Sequence, residues 1–396
     1  MQSDEPEDLL PSALDDAEAE RQTAAAGVMA FSLGDKLNSG RYYPFRKIGA
    51  GQFSTDLKES RYVAIKAGFT WLVKPQMHEI SIMTLLREDP IPDHPGKRHV
   101  VELLDSFVHE GPNESHVCLV TEPLGRQVET VLSGLYLDNP APHSLCRILS
   151  IQALQALDYL HQKNIMHGDV HTGNLVFRLT YDIDNDTETD IKAKNTRGNE
   201  LNDPDDPSTL DDRTSITTGD TDANVVLVDL GASSILADSP SNSYAYPIPY
   251  RAPEVVMDTG SVTSKADIWA LGCVIWRIIT GIPLFAPEGW GDMDATNVEQ
   301  IVMFVERLGP VPETLREAWL DSDNHLTPDG HLKNPFPEEE RELPIAKEIL
   351  EYKPEGMGED EVSAFVEFLG LIFCFDPCER RSTQELLRHR WITDWP

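Results

Sequence analysis

The chain is poor in positive charge: its 396 residues carry 33 Lys and Arg against 67 Asp and Glu, a formal net charge of −34 at pH 7. Nucleic acid has the same sign, so direct nucleic-acid binding is disfavoured and a basic polypeptide is the partner such a surface suits. Cysteine is also scarce. The five residues Cys118, Cys146, Cys273, Cys374 and Cys378 are odd in number and scattered, which excludes a disulfide framework and points to a reducing compartment. No apolar run approaches membrane-spanning length, and the N-terminus is acidic where a signal peptide is basic. The expectation is an intracellular, monomeric protein of the cytoplasm or nucleus, with no membrane partner. Calcium-loop chemistry is lacking too: "DIDNDTETD" alternates acids without the Gly and closing Glu of an EF-hand.

What is present is enough apolar sequence, 40% of residues, to build sizeable cores. Residues 1–35 mix acid and alanine with no apolar stripe and read as a disordered acidic arm. "RYVAIKAG" and "HVCLVTEPL" run as strands do, and "MHEISIMTLLRED" between them reads as a helix. From Ser144 to Lys163, Leu145, Ile148, Leu149, Ala153, Leu157 and Leu160 recur at helical spacing. Residues 178–223 turn rich in Asp, Asn, Thr and Gly, an acidic disordered insertion, before the buried strand of "NVVLVDLGA". The remainder is mostly helical, and no internal repeat is visible.

The chemistry concentrates in "NIMHGDVHTGNLVF". Asp169 stands five residues ahead of Asn174 and two after His167, a spacing that resembles the catalytic loop of a protein kinase. Phosphoryl transfer is chiefly positioning and charge neutralisation, so it needs a cation for the phosphates, metal ligands and a base for the attacking hydroxyl. Lys66 in "VAIK" supplies a cation at the end of a strand, and Glu79 on the next helix supplies its partner. Asp229, after the apolar strand of "VLVDLGA", sits where a metal-ligating aspartate belongs, with Asn174 as second ligand and Asp169 as base. Each alone reads as an ordinary loop or capping residue; five in order and spacing do not. "YRAPEVV", "DIWALGCVIW" and "DPCERRS" add Glu254, Asp267 and Arg380, the last placed to pair with Glu254.

From Tyr42 to Trp391 the chain resembles a eukaryotic protein kinase, more narrowly an SR-protein kinase of the fungal type. The narrower likeness rests on "LGDKLNSGRYYPFRKIGAGQFST", on "HPGKRHVVELLDSFVHEGPNESHVCLVTEPLG" and on the insertion after the catalytic loop; "VERLGPVPE" is typical of the wider kinase group. The resemblance implies an α+β, two-lobed fold, with a β-rich N-lobe at about 42–121, a hinge at 122–125 and a larger, mainly helical C-lobe over 126–391. It implies ATP and Mg2+, and serines in basic, arginine-serine-rich proteins as acceptors. Ile48 and Val176 would then sandwich adenine beside Ala64, with Gly49 and Gly51 in the glycine loop. The backbone of Glu122 to Leu124 would hold the base, and Thr121 would be the gatekeeper. The resemblance places Asp292 and Asp294 of "EGWGDMDATN" among the family's docking acids, while the residues themselves read more simply as an exposed acidic loop.

Departures from the pattern set further expectations. "HGDVHTGN" is also similar to the loop of small-molecule kinases for aminoglycosides or choline, which lack the Ala-Pro-Glu and Asp-x-Trp-x-x-Gly elements found here. Gly168 replaces the arginine that reads a phosphorylated activation loop, so activity independent of such phosphorylation is expected. His171 replaces a lysine and can donate towards the γ-phosphate as a mostly neutral group. After "GAGQFST" the usual valine position is Asp56, and the apolar second strand is expected to be absent. That loss would favour a pseudokinase, a scaffold with impaired ATP binding.

Overall fold

The computed structural model describes residues 34–48, 51–67, 73–110, 115–136, 140–179, 184, 223–236, 244–260, 262–288, 293–338 and 341–394. Nearly all of the expected acidic arm and insertion lies outside them. Two compact units divide the chain: one draws on residues up to Thr84 and on Glu102–Pro123, the other on Leu85–Val101, Leu124–Asp182 and Thr189–Pro396.

The first unit is built on a five-stranded antiparallel sheet. Its strands are β1 (Tyr42–Ile48), β2 (Gly51–Asp56), β3 (Arg61–Ala67), β4 (Leu103–Glu110) and β5 (Ser115–Thr121), in the spatial order β1-β2-β3-β5-β4. Helix α1 (Val73–Glu88) connects β3 to the later strands. Alternation in β3 sends Val63 and Ile65 inwards, where Leu37, Tyr42, Cys118 and Val120 complete a core. Leu37 is wholly buried, and Gly34 N–H donates to Pro44 O at 3.0 Å, so folded structure begins before Tyr42 and inside the expected arm.

The expectation of a missing second strand is overturned. β2 pairs along its whole length with β1, from Tyr42↔Asp56 to Ile48↔Gly51, and with β3, from Gly51↔Lys66 to Asp56↔Arg61. This register puts Phe53, not Asp56, opposite Ala64. What is short is the connection: only two residues separate Ile48 from Gly51. The strand escaped detection because its buried side chains include Ser54 and Asp56, both 0% exposed, where apolar residues are the signal. Asp56 is tolerated there because Arg41 meets it with two hydrogen bonds, Nε to Oδ1 at 3.0 Å and Nη2 to Oδ2 at 2.8 Å. The Lys58 and Glu59 N–H groups also donate to Oδ1, closing the turn to β3. Burial works against the charged form, yet these donors hold the Asp56 carboxyl below its ordinary pKa.

The second unit is mainly helical. After β6 (Leu124–Gln127) come α2 (Val128–Leu135) and α3 (His143–Gln162), whose inward residues include Leu145, Leu149, Ala153, Leu157 and Leu160. Then follow β7 (Ile165–Met166), β8 (Leu175–Arg178), β9 (Val225–Leu227) and β10 (Ser234–Ile235). Helix α4 (Ser264–Thr280) is buried almost all round, as an apolar helix at the centre of a core must be. The Thr263 hydroxyl accepts from Lys265 N–H at its start, and Gly281, at φ 77°, terminates it in the left-handed conformation. Trp269 of α4 packs against Phe285, Phe304 and Phe373 at 5.0–5.4 Å between ring centroids. Helices α5 (Met293–Leu308) and α6 (Glu359–Gly370) follow.

Candidate active site

In the second unit the site follows from one antiparallel pair. β8 and β9 run in register from Leu175↔Leu227 to Phe177↔Val225, which brings the residue before β8 beside the residues after β9. Asn174 and Asp229 therefore share one end of the ladder, and Val228 N–H donates to Asn174 O at 2.9 Å. Asp229 adopts φ 63°, ψ 75°, a left-handed conformation that a non-glycine residue keeps only where its surroundings enforce it.

Asp169 is fixed from the same side. The Asn174 amide Nδ2 donates to Asp169 Oδ2 at 3.0 Å and to Asp169 O at 2.9 Å. With its amino group so engaged, the amide presents its Oδ1 end as a hard oxygen donor, and Asp229 adds a carboxylate. Two such oxygens suit Mg2+, a hard cation that would there supply positive charge for phosphates. Asp169 Oδ1 is buried and makes no hydrogen bond among the described residues.

The loop backbone hangs on a buried carboxylate. Asp267, in the first turn of α4, accepts from His167 N–H at 2.8 Å, Gly168 N–H at 2.9 Å, the Tyr246 hydroxyl at 2.6 Å and His161 Nε2 at 2.9 Å. Burial opposes its charge, but the His161 contact and the other donors outweigh this and hold its pKa below the ordinary value. Gly168 sits at φ 79°, where glycine pays no Cβ penalty, and its carbonyl accepts from Ala245 N–H at 2.8 Å. His167 is wholly buried, with Nδ1 accepting from Asp169 N–H and Nε2 facing Val228 O at 3.1 Å. Burial lowers its pKa and keeps it neutral.

A second carboxylate, Glu129 in the first turn of α2, steadies the other side of the loop. It accepts from the Thr172 hydroxyl at 2.6 Å and from Arg277 Nη2 at 2.6 Å, and Thr172 Oγ1 lies 2.8 Å from the Tyr250 hydroxyl. Sequence reading missed Glu129, Thr172, Tyr250 and Arg277. Thr172 lay inside the motif already singled out, but nothing local to Glu129 signals a partner 148 residues away. Glu254 and Arg380 form the expected pair, at 2.6 and 2.7 Å, both wholly buried within 2%.

In the first unit, Lys66 Nζ lies 3.2 Å from both carboxylate oxygens of Glu79, which is 4% exposed on α1. Ala64 sits in β3 opposite Thr121 of β5, and the Thr121 hydroxyl donates to Glu122 O at 3.3 Å. Ile48 ends β1 and Gly51 begins β2; Gly49 lies outside the described residues. In the second unit Leu124 begins β6, and Val176 is a buried residue of β8 opposite Val226. Asp294 lies in the first turn of α5, exposed, whereas Asp292 is outside the described residues.

The family described as "Protein kinase domain" matches residues 42–392. Protein kinase dsk1 of Schizosaccharomyces pombe is 25% identical over 91% of this chain and 82% of its own length. Serine/threonine-protein kinase SRPK of Physarum polycephalum is 26% identical over 90% of this chain and 86% of its own. SRSF protein kinase 3 of Mus musculus reaches 34% over 42% of this chain and 31% of its own. A crystal structure of a kinase domain, 21% identical, superposes with a TM-score of 0.64 and covers 92% of this chain and 99% of that one.

Proposed function

The chain belongs to the protein kinase family as a serine/threonine kinase, and we propose that it transfers the γ-phosphate of ATP to serines of basic, arginine-serine-rich proteins. The observation that carries the catalytic reading is the Asn174–Asp169 hydrogen-bonded pair with Asp229 beside it across the β8–β9 ladder. Asp169 accepts the proton of the seryl hydroxyl as its oxygen attacks the γ-phosphorus. The bond from that phosphorus to the β,γ-bridging oxygen breaks and ADP leaves. Asn174 and Asp229 are the residues that would hold Mg2+, which would supply neutralising charge for the phosphates. Lys66, steadied by Glu79, orients the phosphates. On this reading the adenine residues are Ile48 and Ala64 of the first unit and Val176 of the second, the backbone of Glu122 and Leu124 is assigned to the base's edge, and Gly49 and Gly51 are assigned to the phosphates.

The substrate reading rests on charge and on relatives. A net charge of −34 attracts cationic repeats, and the names of two relatives, SRPK and SRSF protein kinase 3, point the same way. With Gly168 in the arginine's place, transfer proceeds without phosphorylation of the segment 233–247. The paired full length of β2 removes the ground for a silent scaffold.

The test is phosphate incorporation into an arginine-serine repeat peptide with Mg2+ and ATP, beside an acidic serine peptide and a neutral one. Asp169→Ala should lower kcat by about 10²- to 10⁴-fold. Equal incorporation by wild type and Asp169→Ala defeats the enzyme reading; transfer with no preference for the basic peptide defeats the substrate reading alone.

A further inference from the structure

The stretch "HTG" at 171–173 replaces the lysine expected after the aspartate, and its geometry gives the histidine a task of its own. His171 Nδ1 accepts from Gly173 N–H at 3.1 Å. A nitrogen that accepts carries no proton, so the neutral ring has its hydrogen on Nε2. Nε2 faces Asp169 Oδ1 at 3.7 Å, and Oδ1 is the buried carboxylate oxygen that has no hydrogen bond among the described residues. The other oxygen, Oδ2, is held by Asn174. The ring leans on Tyr250 at 5.9 Å between centroids, and Tyr250 is tied through Thr172 to Glu129.

Glycine at 173 is part of the same device. A Cβ there would lie 2.8 Å from His171 Cε1 and 2.9 Å from Nδ1, so any side chain at 173 displaces the ring. The observed position of the His171 ring thus requires glycine at 173.

We propose that His171 is a positioning residue for the base: its Nε2–H orients Asp169 Oδ1, while Asn174 orients Oδ2. This rests on the kinase reading above. The contact closes to hydrogen-bond length as the substrate hydroxyl enters, holding the carboxylate in the plane from which it takes the proton. A neutral donor serves this end without adding charge at the phosphates, which distinguishes it from the lysine it replaces.

The experiment is a set of variants assayed for kcat and for the KM of ATP on the peptide above, with Asp169→Ala as the dead control. His171→Phe keeps a ring against Tyr250 and removes the donor. It should cost about tenfold in kcat, the loss of one hydrogen bond to a charged group, with the KM of ATP within about twofold. His171→Gln restores a donor and should recover part of the rate. Gly173→Ala should lower kcat in the wild-type background and have little further effect on His171→Ala, because the two substitutions remove one interaction. In the wild-type protein, 15N-histidine NMR, with the signal assigned by its loss in His171→Phe, should show protonated Nε2 and bare Nδ1. Unchanged kcat in His171→Phe, additive effects of Gly173→Ala and His171→Ala, or the opposite tautomer overturns the proposal. Transfer absent from wild type as well as from Asp169→Ala defeats the kinase reading and this role with it, whereas transfer by His171→Phe at the wild-type kcat overturns this role alone.

Discussion

The catalytic loop and the first hairpin both break their expected pattern, and they repair the break in different ways. In the loop, a lysine and an arginine give way to His171 and Gly168, and the repair is local: a glycine that suits φ 79° and a ring seated on Gly173. In the hairpin, an acid occupies a buried strand position, and the repair is distant in sequence, an arginine 15 residues earlier that folds back onto Asp56. The loop is held by contacts from four directions; Asp56 depends on one side chain and a turn. A substitution in the loop's scaffold should therefore cost more than its counterpart in the hairpin.

The largest effect is expected at Asp267. It is wholly buried and accepts from two backbone N–H groups of the catalytic loop as well as from His161 and Tyr246. Asp267→Ala leaves these donors unpaired and should destabilise the protein by about 3–5 kcal/mol in urea unfolding. Phosphate transfer should fall more than this loss of folded protein explains, since the loop that carries Asp169 loses its anchor. If stability is unchanged, the loop is held by its own turns and the contrast with the hairpin fails.

Asp56→Ala should cost less, about 1.5–3 kcal/mol, because Arg41 keeps a second partner in Asp105 at 2.7 Å and is itself only partly buried. The pH dependence follows from the lowered pKa of Asp56, whose ordinary value is 3.8. The folded state favours the charged carboxylate, so this contribution is complete above about pH 3.8 and is lost as pH falls through the lower folded value. Wild type should accordingly lose part of its advantage over Asp56→Ala as urea unfolding is repeated at successively lower pH below that point. A constant difference across this range would show that Arg41 and Asp56 do not interact as an ion pair.

The same contrast explains what could be read from the sequence. Helix α3 and strand β3 announced themselves because their buried residues are apolar and periodic. Asp169, Asn174 and Asp229 were legible because motif spacing reflects a local need, an aspartate and an amide at either end of a short turn, and a carboxylate after an apolar strand. β2 was not legible, since Ser54 and Asp56 hide a buried face under polar residues. Nor were the partners of Glu129 and Asp267, because side chains 148 and 100 positions apart meet through topology and leave no periodic trace.

The smallest effect separates the loop's two supports from each other. The Thr172 hydroxyl is 1% exposed and meets both Glu129 and Tyr250. Thr172→Val keeps the shape and removes the hydroxyl. Glu129 retains Arg277 and Ser133, so only part of its hydrogen bonding is lost. Burial raises the Glu129 carboxyl while Arg277, Thr172 and Ser133 bring it below its ordinary pKa. The cost should be about 1–2 kcal/mol, less than for either aspartate. Tyr250→Phe removes the other end of the same contact, so the double variant should cost less than the two single losses added together. Strict additivity would mean that Tyr250 steadies the loop through its ring against His171 rather than through its hydroxyl. The Glu129 side of the loop would then act separately from the side that holds the base.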